Sequence, residues 1–287
     1  MTLRIVPLSA ALGAEVTGPD WAQPLDSRAV AALEAAFLEF HLLCLRSQTL
    51  TSLAFLGLAR HFGTPQTQLI AEGRQADAPE VSRLETTYPS MADKPVDMRS
   101  VRLSGWHTDD SYFPVPAKAT LLQSLAIPDS GGQTRFANMR TAYRDLPEAM
   151  KARIEGLRAV HRYDTRRAKA PPIELTREEE AETQEAVHPL ARRHEDTGET
   201  AIYFNANRTD RIVGMSAAES DSLLDQLDQH TIQPKYQYHH TWRVGDILIW
   251  DNRCLIHSVD MDFPVGQRRI HQRILLAGAA PAPTKAP

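Results

Sequence analysis

The strongest constraint in this sequence is a rhythm of short strand-like runs. ATLLQSLAI (119–127), QTRFAN (133–138), LRAVHRY (157–163), AIYFNA (201–206), YQYHHTW (236–242), DILIW (246–250) and RRIHQRILL (268–276) recur with Gly, Pro and Asp punctuation between them. Sheets made of many short strands manage their open edges by closing on themselves or by pairing into two packed layers. The expected fold is therefore mainly β with flanking helices, in the form of a double-sheet barrel. Two helical insertions interrupt the strands, at 139–155 and at Ser216–His230. In the second, Ser216 and Glu219 stand at capping-box spacing.

Ahead of these strands, SRAVAALEAAFLEF (27–40) carries apolar residues at helical spacing behind Ser27 as its cap. HLLCLR then reads as a short buried strand, and Thr51 caps a second helix through Phe62. From Gly63 to Gly105 the pattern loosens around one strand-like piece, EVSRLET, as expected of a long functional loop or lid. The charged stretch 164–185 has no periodicity, and AGAAPAPTKAP has the composition of a disordered tail. There is no internal repeat. One domain over 1–278 and a tail over 279–287 follow, since a β enzyme of 287 residues can fold around one core and 42% hydrophobic residues can fill it.

Charge and cysteine content remove several classes. A formal charge of -4 gives no basic field for a phosphate backbone, so nucleic acid is not an expected partner and any anion must be held locally. Two cysteines, Cys44 and Cys254, both in apolar runs, make neither a disulfide framework nor a cysteine-rich zinc site. No secretory leader pattern opens the chain and no run of eighteen apolar residues occurs, so the expectation is a cytoplasmic protein without a membrane segment.

The residues that carry chemistry begin at SGWHTDDSYF (104–113). In an extended strand alternate side chains share a face, so His107 and Asp109 point together while Thr108 and Asp110 point away. Two histidines and one carboxylate leave open positions on a metal, the arrangement expected of non-haem Fe(II) oxygenases. A second His-x-Asp, His194 and Asp196 in HEDTG, has the flanks of a hairpin turn and is expected to be solvated. His257, in DILIWDNRCLIHSV, reads either as a satisfied core histidine or as the third ligand. RRIHQR sets Arg269, His271 and Arg273 at alternating positions on one face, and buried guanidiniums call for carboxylates. His161, His188, His230, His239 and His240 read as packing or surface histidines.

In this order LGAEVTG, HLLCLR, RHFG (60–63), WHTD (106–109), GGQT (131–134), HPLARRHEDTG (188–198), WDNRCLIH (250–257) and QRRIHQR (267–273) resemble the TauD/TfdA family, the taurine and 2,4-dichlorophenoxyacetate dioxygenases, over nearly the whole chain. The resemblance implies a double-stranded β-helix, or jelly roll of the clavaminate synthase-like type. It also implies Fe(II) ligated by His107, Asp109 and His257, and 2-oxoglutarate chelating that iron while its far carboxylate meets Thr134 and Arg269, with Arg268 as the neighbouring rival. Arg273 matches a family arginine near the substrate's anionic group. Where the taurine enzyme has a histidine and a tyrosine after its FG motif, this chain has TPQTQLIA, with Gln68 nearest the histidine position. Taurine is thus a poor candidate, and HTDDSYFPVPAKATLL looks closer to the phenoxyacetate enzymes.

The implied activity is hydroxylation of an sp3 C–H bond of a small anionic substrate, an aryloxyalkanoate, alkyl sulfate, sulfonate or natural-product acid, with O2 consumed and succinate and CO2 released. Two other readings compete: a zinc hydrolase on the same ligands, since they can also activate water, and a jelly-roll sensor that binds metal and 2-oxoglutarate without turnover. By the same resemblance the chain is expected to form a homo-oligomer.

Overall fold

The computed structural model describes residues 3–46, 48–86, 105–168, 175–183 and 185–284. A hairpin of β1 (Arg4–Pro7) and β2 (Ala14–Thr17) leads into helix α1 (Ser27–Phe40). Asp26 caps this helix in place of the expected Ser27: its carboxylate accepts from the Ala29 amide, which makes Ser27 the first helical residue. At the far end His41 turns left-handed (φ 60°) and sends its N–H to Phe37 O, releasing the chain into β3 (Leu42–Leu45). Thr51 caps α2 (Ser52–Ala59) as expected, and the helix ends short of the expected Phe62.

The segment read as irregular after Gly63 is partly ordered into β4 (Pro65–Gln66), β5 (Arg74–Gln75) and the eight-residue β6 (Ala78–Glu85). Residues 87–104 of the expected lid lie outside the described residues. Next come β7 (Ala119–Ala126), β8 (Thr134–Asn138), α3 (Met139–Arg144) and α4 (Glu148–Ile154). The insertion read as one helix over 139–155 is thus two, parted at Pro147, whose ring disfavours helical backbone in the residue before it. Then follow β9 (Arg158–His161), α5 (Arg177–Glu182), β10 (Ala186–Pro189), β11 (Ala191–Arg193), β12 (Thr200–Ile202), β13 (Thr209–Ile212), α6 (Ala217–Thr231), β14 (Gln237–His240), β15 (Ile247–Asp251), β16 (Leu255–Val259), β17 (Ile270–Leu276) and β18 (Ala282–Pro283). Helix α5 falls in the stretch without periodicity. It buries nothing and stands on a capping box between Thr176 and Glu179. Strand β18 falls in the expected tail, where Ala282 and Pro283 pair with Arg193 and Arg192 at the open edge of β11.

The largest sheet runs β1-β2-β3-β15-β7-β17-β6-β5, with β4 also on β17; a three-stranded sheet, β14-β8-β16, and two further three-stranded sheets accompany it. Alternation along the central strands explains why they are apolar throughout. Leu42, Cys44, Leu248 and Trp250 face one core with Leu122 and Phe136, while Leu43, Leu45, Ile247 and Ile249 face a second core with Phe37 of α1 and Phe55 of α2. Both faces of the large sheet are therefore covered, so a run such as ILIW has no solvent-facing position to fill with a polar residue. On β17, Ile274 and Leu276 lie in the helix-side core, which turns Arg273 and Leu275 the other way.

Candidate active site

The site forms where the β8–β16 sheet meets the large sheet. On β16, His257 pairs with Phe136 of β8. A single antiparallel bridge adds His107 to its other side, His107 N donating to His257 O (2.9 Å) and His257 N to His107 O (2.7 Å). The two rings stand 4.2 Å apart between centroids, 150 positions apart in the chain. The strand expected through 107–109 shrinks to that one bridged residue. The chain turns at Asp109–Asp110, and Asp110 takes a left-handed φ of 57°. The convergence survives: donor atoms of His107, Asp109 and His257 all lie within 4.8 Å of one another, and all three residues are buried.

Each donor is prepared for a cation. His107 Nδ1 donates to Gly105 O (2.8 Å), which leaves Nε2 with its lone pair. Burial pushes the His107 pKa down, and burial together with His107 and Arg273 pushes His257 to about 3, so both imidazoles are neutral. Burial alone would raise the Asp109 carboxyl. The opposing influence of His257, Arg273, His107 and the Thr120 hydroxyl outweighs it and holds the group at about 2. An ionised carboxylate with two neutral imidazoles is the donor set a divalent transition ion takes, so the residues fit such a metal.

The carboxylate is fixed from the large sheet by a relay whose direction is not free. The Trp250 indole N–H can only donate, and it donates to Asn252 Oδ1 (3.0 Å). Asn252 Nδ2 then donates to Thr120 Oγ1 (2.8 Å), and the Thr120 hydroxyl donates to Asp109 Oδ2 (2.6 Å). Thr108, pointing away, donates to Asn252 O at 2.8 Å and holds the same turn from behind. On the other carboxylate oxygen, Arg273 Nη1 approaches Oδ1 at 3.6 Å, while its Nε donates to Gln68 Oε1 at 2.6 Å. Gln68 thus aims Arg273.

Thr134 pairs with Val259, two residues beyond His257, and so shares the His257 face roughly 7 Å along the sheet. Arg269, just before β17, is buried against it. Its Nη2 donates to Thr134 Oγ1 (3.2 Å), as does Trp242 Nε1 (3.0 Å), and its Nε donates to Gly132 O (3.2 Å). Two donors on one hydroxyl oxygen leave the Thr134 proton to be given away, which with the guanidinium makes a receptor for a carboxylate. The Gly131–Gly132 turn is needed here: both residues have positive φ, and a Cβ on Gly132 would sit 3.4 Å from Arg269 Cδ. Arg268 is exposed and faces Glu85 at 3.9 Å.

His271 shares the face of the arginines but packs edge-on against Trp242 and is not among the clustered donor residues. Asp196 is exposed, as expected of a solvated turn, but His194 is not. It is fully buried, its Nδ1 accepting from the amides of Asp196 and Thr197 and its Nε2 donating to Asp251 Oδ2 (2.9 Å), while Asp196 pairs with Arg253 (2.7 Å). The turn folds back on its own imidazole because Asp251, gripped by Arg253, offers a buried acceptor opposite. His41, His194, Asp251 and Cys254 also cluster within 4.8 Å, but the two guanidiniums of Arg140 and Arg253 occupy that group.

Sequence reasoning missed Thr120, Asn252 and Arg208. Thr120 shares strand parity with Leu122, which faces the inter-sheet core, and that parity would have found it. The Arg208 guanidinium lies against the mutually perpendicular Tyr112 and Tyr163 rings, 5.0 and 4.6 Å from their centroids, a long-range meeting with no local signal. Beside the site, Gln66, Gln68, Leu69, Asp110 and Phe113 line a cavity of about 560 Å³. Burial and the neighbouring Asp109 push the Asp110 carboxyl up to about 6.

Comparison with known proteins bears on this geometry. The profile of the taurine catabolism dioxygenase TauD, TfdA family matches residues 4–275. A curated (S)-phenoxypropionate/alpha-ketoglutarate-dioxygenase of Sphingobium herbicidovorans is 36% identical over 94% of this chain and 94% of its own. An alkylsulfatase of Acinetobacter baylyi is 31% identical over 96% of this chain and 85% of its own. Among solved structures, AAD-2 in complex with Mn(II) and N-oxalylglycine superposes with a TM-score of 0.82 at 28% identity, covering 99% of this chain and 100% of that one. This agreement of fold and sequence along nearly the full length identifies the chain as a member of the TauD/TfdA family of dioxygenases, with the jelly-roll architecture of that family.

Proposed function

We propose that this protein is an Fe(II)- and 2-oxoglutarate-dependent dioxygenase that hydroxylates an sp3 C–H bond of a small organic anion. In the net reaction one oxygen atom of O2 enters the substrate as hydroxyl and the other enters succinate, as 2-oxoglutarate loses CO2. The observation that carries the reading is the buried convergence of His107, Asp109 and His257 on the sheet face that also bears Thr134, against which Arg269 packs. His107, Asp109 and His257 would hold the iron, and when bound it supplies the activation of O2 that protein side chains cannot.

The rest of the work falls to this chain's own groups. Arg269 and the Thr134 hydroxyl receive the far carboxylate of 2-oxoglutarate, and this second anchor fixes the cosubstrate's orientation. Thr120 and Arg273 keep the Asp109 carboxylate ionised and in one rotamer. Phe136 and Trp250, packed on His257, and Trp106 beside His107 keep water from the imidazoles. Arg273, aimed by Gln68, stands beside the ligand carboxylate with a guanidinium that suits an anionic substrate. The relatives named for a phenoxypropionate and for alkyl sulfates support aryloxyalkanoates and alkyl sulfates as the substrate class.

The test is succinate release and O2 uptake by purified protein with Fe(II), ascorbate and 2-oxoglutarate, across aryloxyalkanoates, alkyl sulfates, sulfonates and natural-product acids. Substrate-dependent succinate at one equivalent per hydroxylated product is expected. The proposal fails if no member of the panel drives succinate formation while the Zn(II)-loaded protein hydrolyses ester or amide probes.

A further inference from the structure

We propose that Arg208 is a specificity-determining residue, a second guanidinium that with Arg273 receives the anionic group of the primary substrate, and that the substrate is an anion with an apolar or aryl body. This rests on the dioxygenase reading above and extends it to the substrate.

The argument begins with a charge that lacks a counter-charge. Three inward-lying guanidiniums of this end of the molecule, Arg192, Arg253 and Arg273, meet carboxylates at 2.7, 2.7 and 3.6 Å. Arg208 meets none among the described residues. Among the described residues its guanidinium makes one hydrogen bond, from Nη1 to the carbonyl of Tyr163, and otherwise lies against the rings of Tyr112 and Tyr163. Two aromatic faces hold a guanidinium in place without neutralising it. Arg208 is half-buried with no anion beside it among the described residues, and such a site is completed when a ligand brings the missing charge.

Position supplies the second step. The turn carrying Arg208 packs on the chain that carries the first imidazole, since a Cβ at Gly105 would coincide with the Asn207 side chain. The Tyr112 ring under Arg208 donates its hydroxyl to Asp110 (3.1 Å), the residue after Asp109. Asp110 accepts from Tyr112 and Gln66, makes no ion pair with Arg208 among the described residues, and acts on it only through space, with its own carboxyl pushed up to about 6. Around Arg208 the surface is apolar: Leu69, Tyr112 and Tyr163 form a buried cluster with Phe113 and Leu175 against it. Leu69 and Phe113 also line the 560 Å³ cavity. An oxyanion on Arg208 would therefore be joined to an apolar group lying on Leu69 and Phe113.

Charge pairing points the same way. With Fe(II) bound by Asp109 and both carboxylates of 2-oxoglutarate in place, Arg269, Arg273 and Arg208 would leave the site net positive, a charge that an anionic substrate offsets. A carboxylate and a sulfate ester both answer that description, and the test separates them.

The experiment uses the full chain loaded with Mn(II) and N-oxalylglycine, which permits binding without turnover. The probes are 2-phenoxypropionate, hexyl sulfate and neutral 2-phenoxypropionamide, titrated by calorimetry into wild type, Arg208→Met and Arg208→Lys. Wild type should bind at least one anion and prefer it to the amide. Arg208→Met should weaken that anion about 10- to 100-fold, as for a lost charge-assisted hydrogen bond, and leave the amide unchanged, with Arg208→Lys intermediate. In turnover with Fe(II) and 2-oxoglutarate the loss should fall on KM more than on kcat. Preference for phenoxypropionate or for hexyl sulfate identifies carboxylate or sulfate as the group received. The proposal is overturned if Arg208→Met binds the anion as wild type does, if it weakens amide and anion alike, or if wild type binds neither anion. A protein that binds anions through Arg208 yet never forms succinate would sink the dioxygenase reading and leave the receptor standing.

Discussion

Replacing Thr120 by valine tests whether the relay from Trp250 to the ligand carboxylate governs metal binding. Valine keeps the shape and removes one hydroxyl. In the native site that hydroxyl donates at 2.6 Å to an ionised, buried carboxylate, a charge-assisted bond worth about 1.5–3 kcal/mol. Its loss also strands Asn252 Nδ2, whose acceptor was the same oxygen. The two effects separate by readout. The stranded amide weakens the fold whether or not metal is present, whereas the lost donor raises the Asp109 pKa and frees its rotamer, which weakens the metal alone. Outer-shell deletions of this kind cost about 10- to 100-fold in metal affinity. The assay is the loss of the free Mn(II) EPR signal on titration with protein at pH 7.5, with Tm of the metal-free protein recorded in parallel. Thr120→Ser, which keeps the hydroxyl, should stay within about threefold of wild type, since only packing changes. A Thr120→Val protein that is folded and binds Mn(II) within twofold of wild type would refute the reasoning.

Other consequences follow from the same geometry. Arg269→Met should raise the KM for 2-oxoglutarate about 100-fold while leaving Mn(II) affinity unchanged, because Arg269 bonds Thr134 and Gly132 and no metal-site donor; succinate kinetics and the Mn(II) titration check this. Gly132→Ala should act in the same direction but more weakly, since it crowds Arg269 Cδ at a positive φ. Asp251→Asn should cost about 1.5–3 kcal/mol in urea unfolding, because it removes the charge of the acceptor shared by Arg253 and His194 while Arg253 keeps Asp196. The metal-free protein should lose stability steeply as pH falls below 6.5. Burial holds His41 and His257 at about 3 and His188 at about 4, so below 6.5 the unfolded chain takes up protons that the folded chain refuses. Stability therefore rises with pH through this window, by about 1.4 kcal/mol per unit for each such histidine. A flat Tm between pH 6.5 and 5 would contradict it.

The layered β architecture was legible because both faces of the central strands are buried. That leaves runs such as HLLCLR and DILIW almost without polar residues, and the central strands β3, β15, β7 and β17 contain neither Gly nor Pro. Local capping was legible too where the cap is a short side chain next to its own amide, as at Thr51 and Ser216. It erred by one residue at Asp26, because Asp and Ser stand side by side and either can cap. The clustered triad was legible only through motif order; periodicity predicted a strand through His107 and Asp109 that the structure replaces with one bridge and a left-handed turn. The solvated reading of His194 failed because a turn's composition describes its backbone and carries no information about a buried carboxylate 57 positions away.

The division of labour in the site has one physical cause. The imidazoles are fixed by backbone pairing between His107 and His257 in the smaller sheet, whereas the carboxylate is fixed by side chains of the larger one, Thr120 and Arg273. Backbone bonds tolerate most substitutions, so the histidine half of the site depends on little besides the histidines. The carboxylate half depends on identity at each relay position, since an indole, an amide and a hydroxyl must donate in one direction for the Thr120 proton to point at the Asp109 carboxylate. Loss of metal through remote substitution should therefore concentrate at Thr120, Asn252 and Trp250, and substitutions of matched burial on β8 or β14 should spare it. A scan of metal affinity in which β8 and β14 positions weaken Mn(II) as strongly as Thr120 does would show that the two sheets share the task after all.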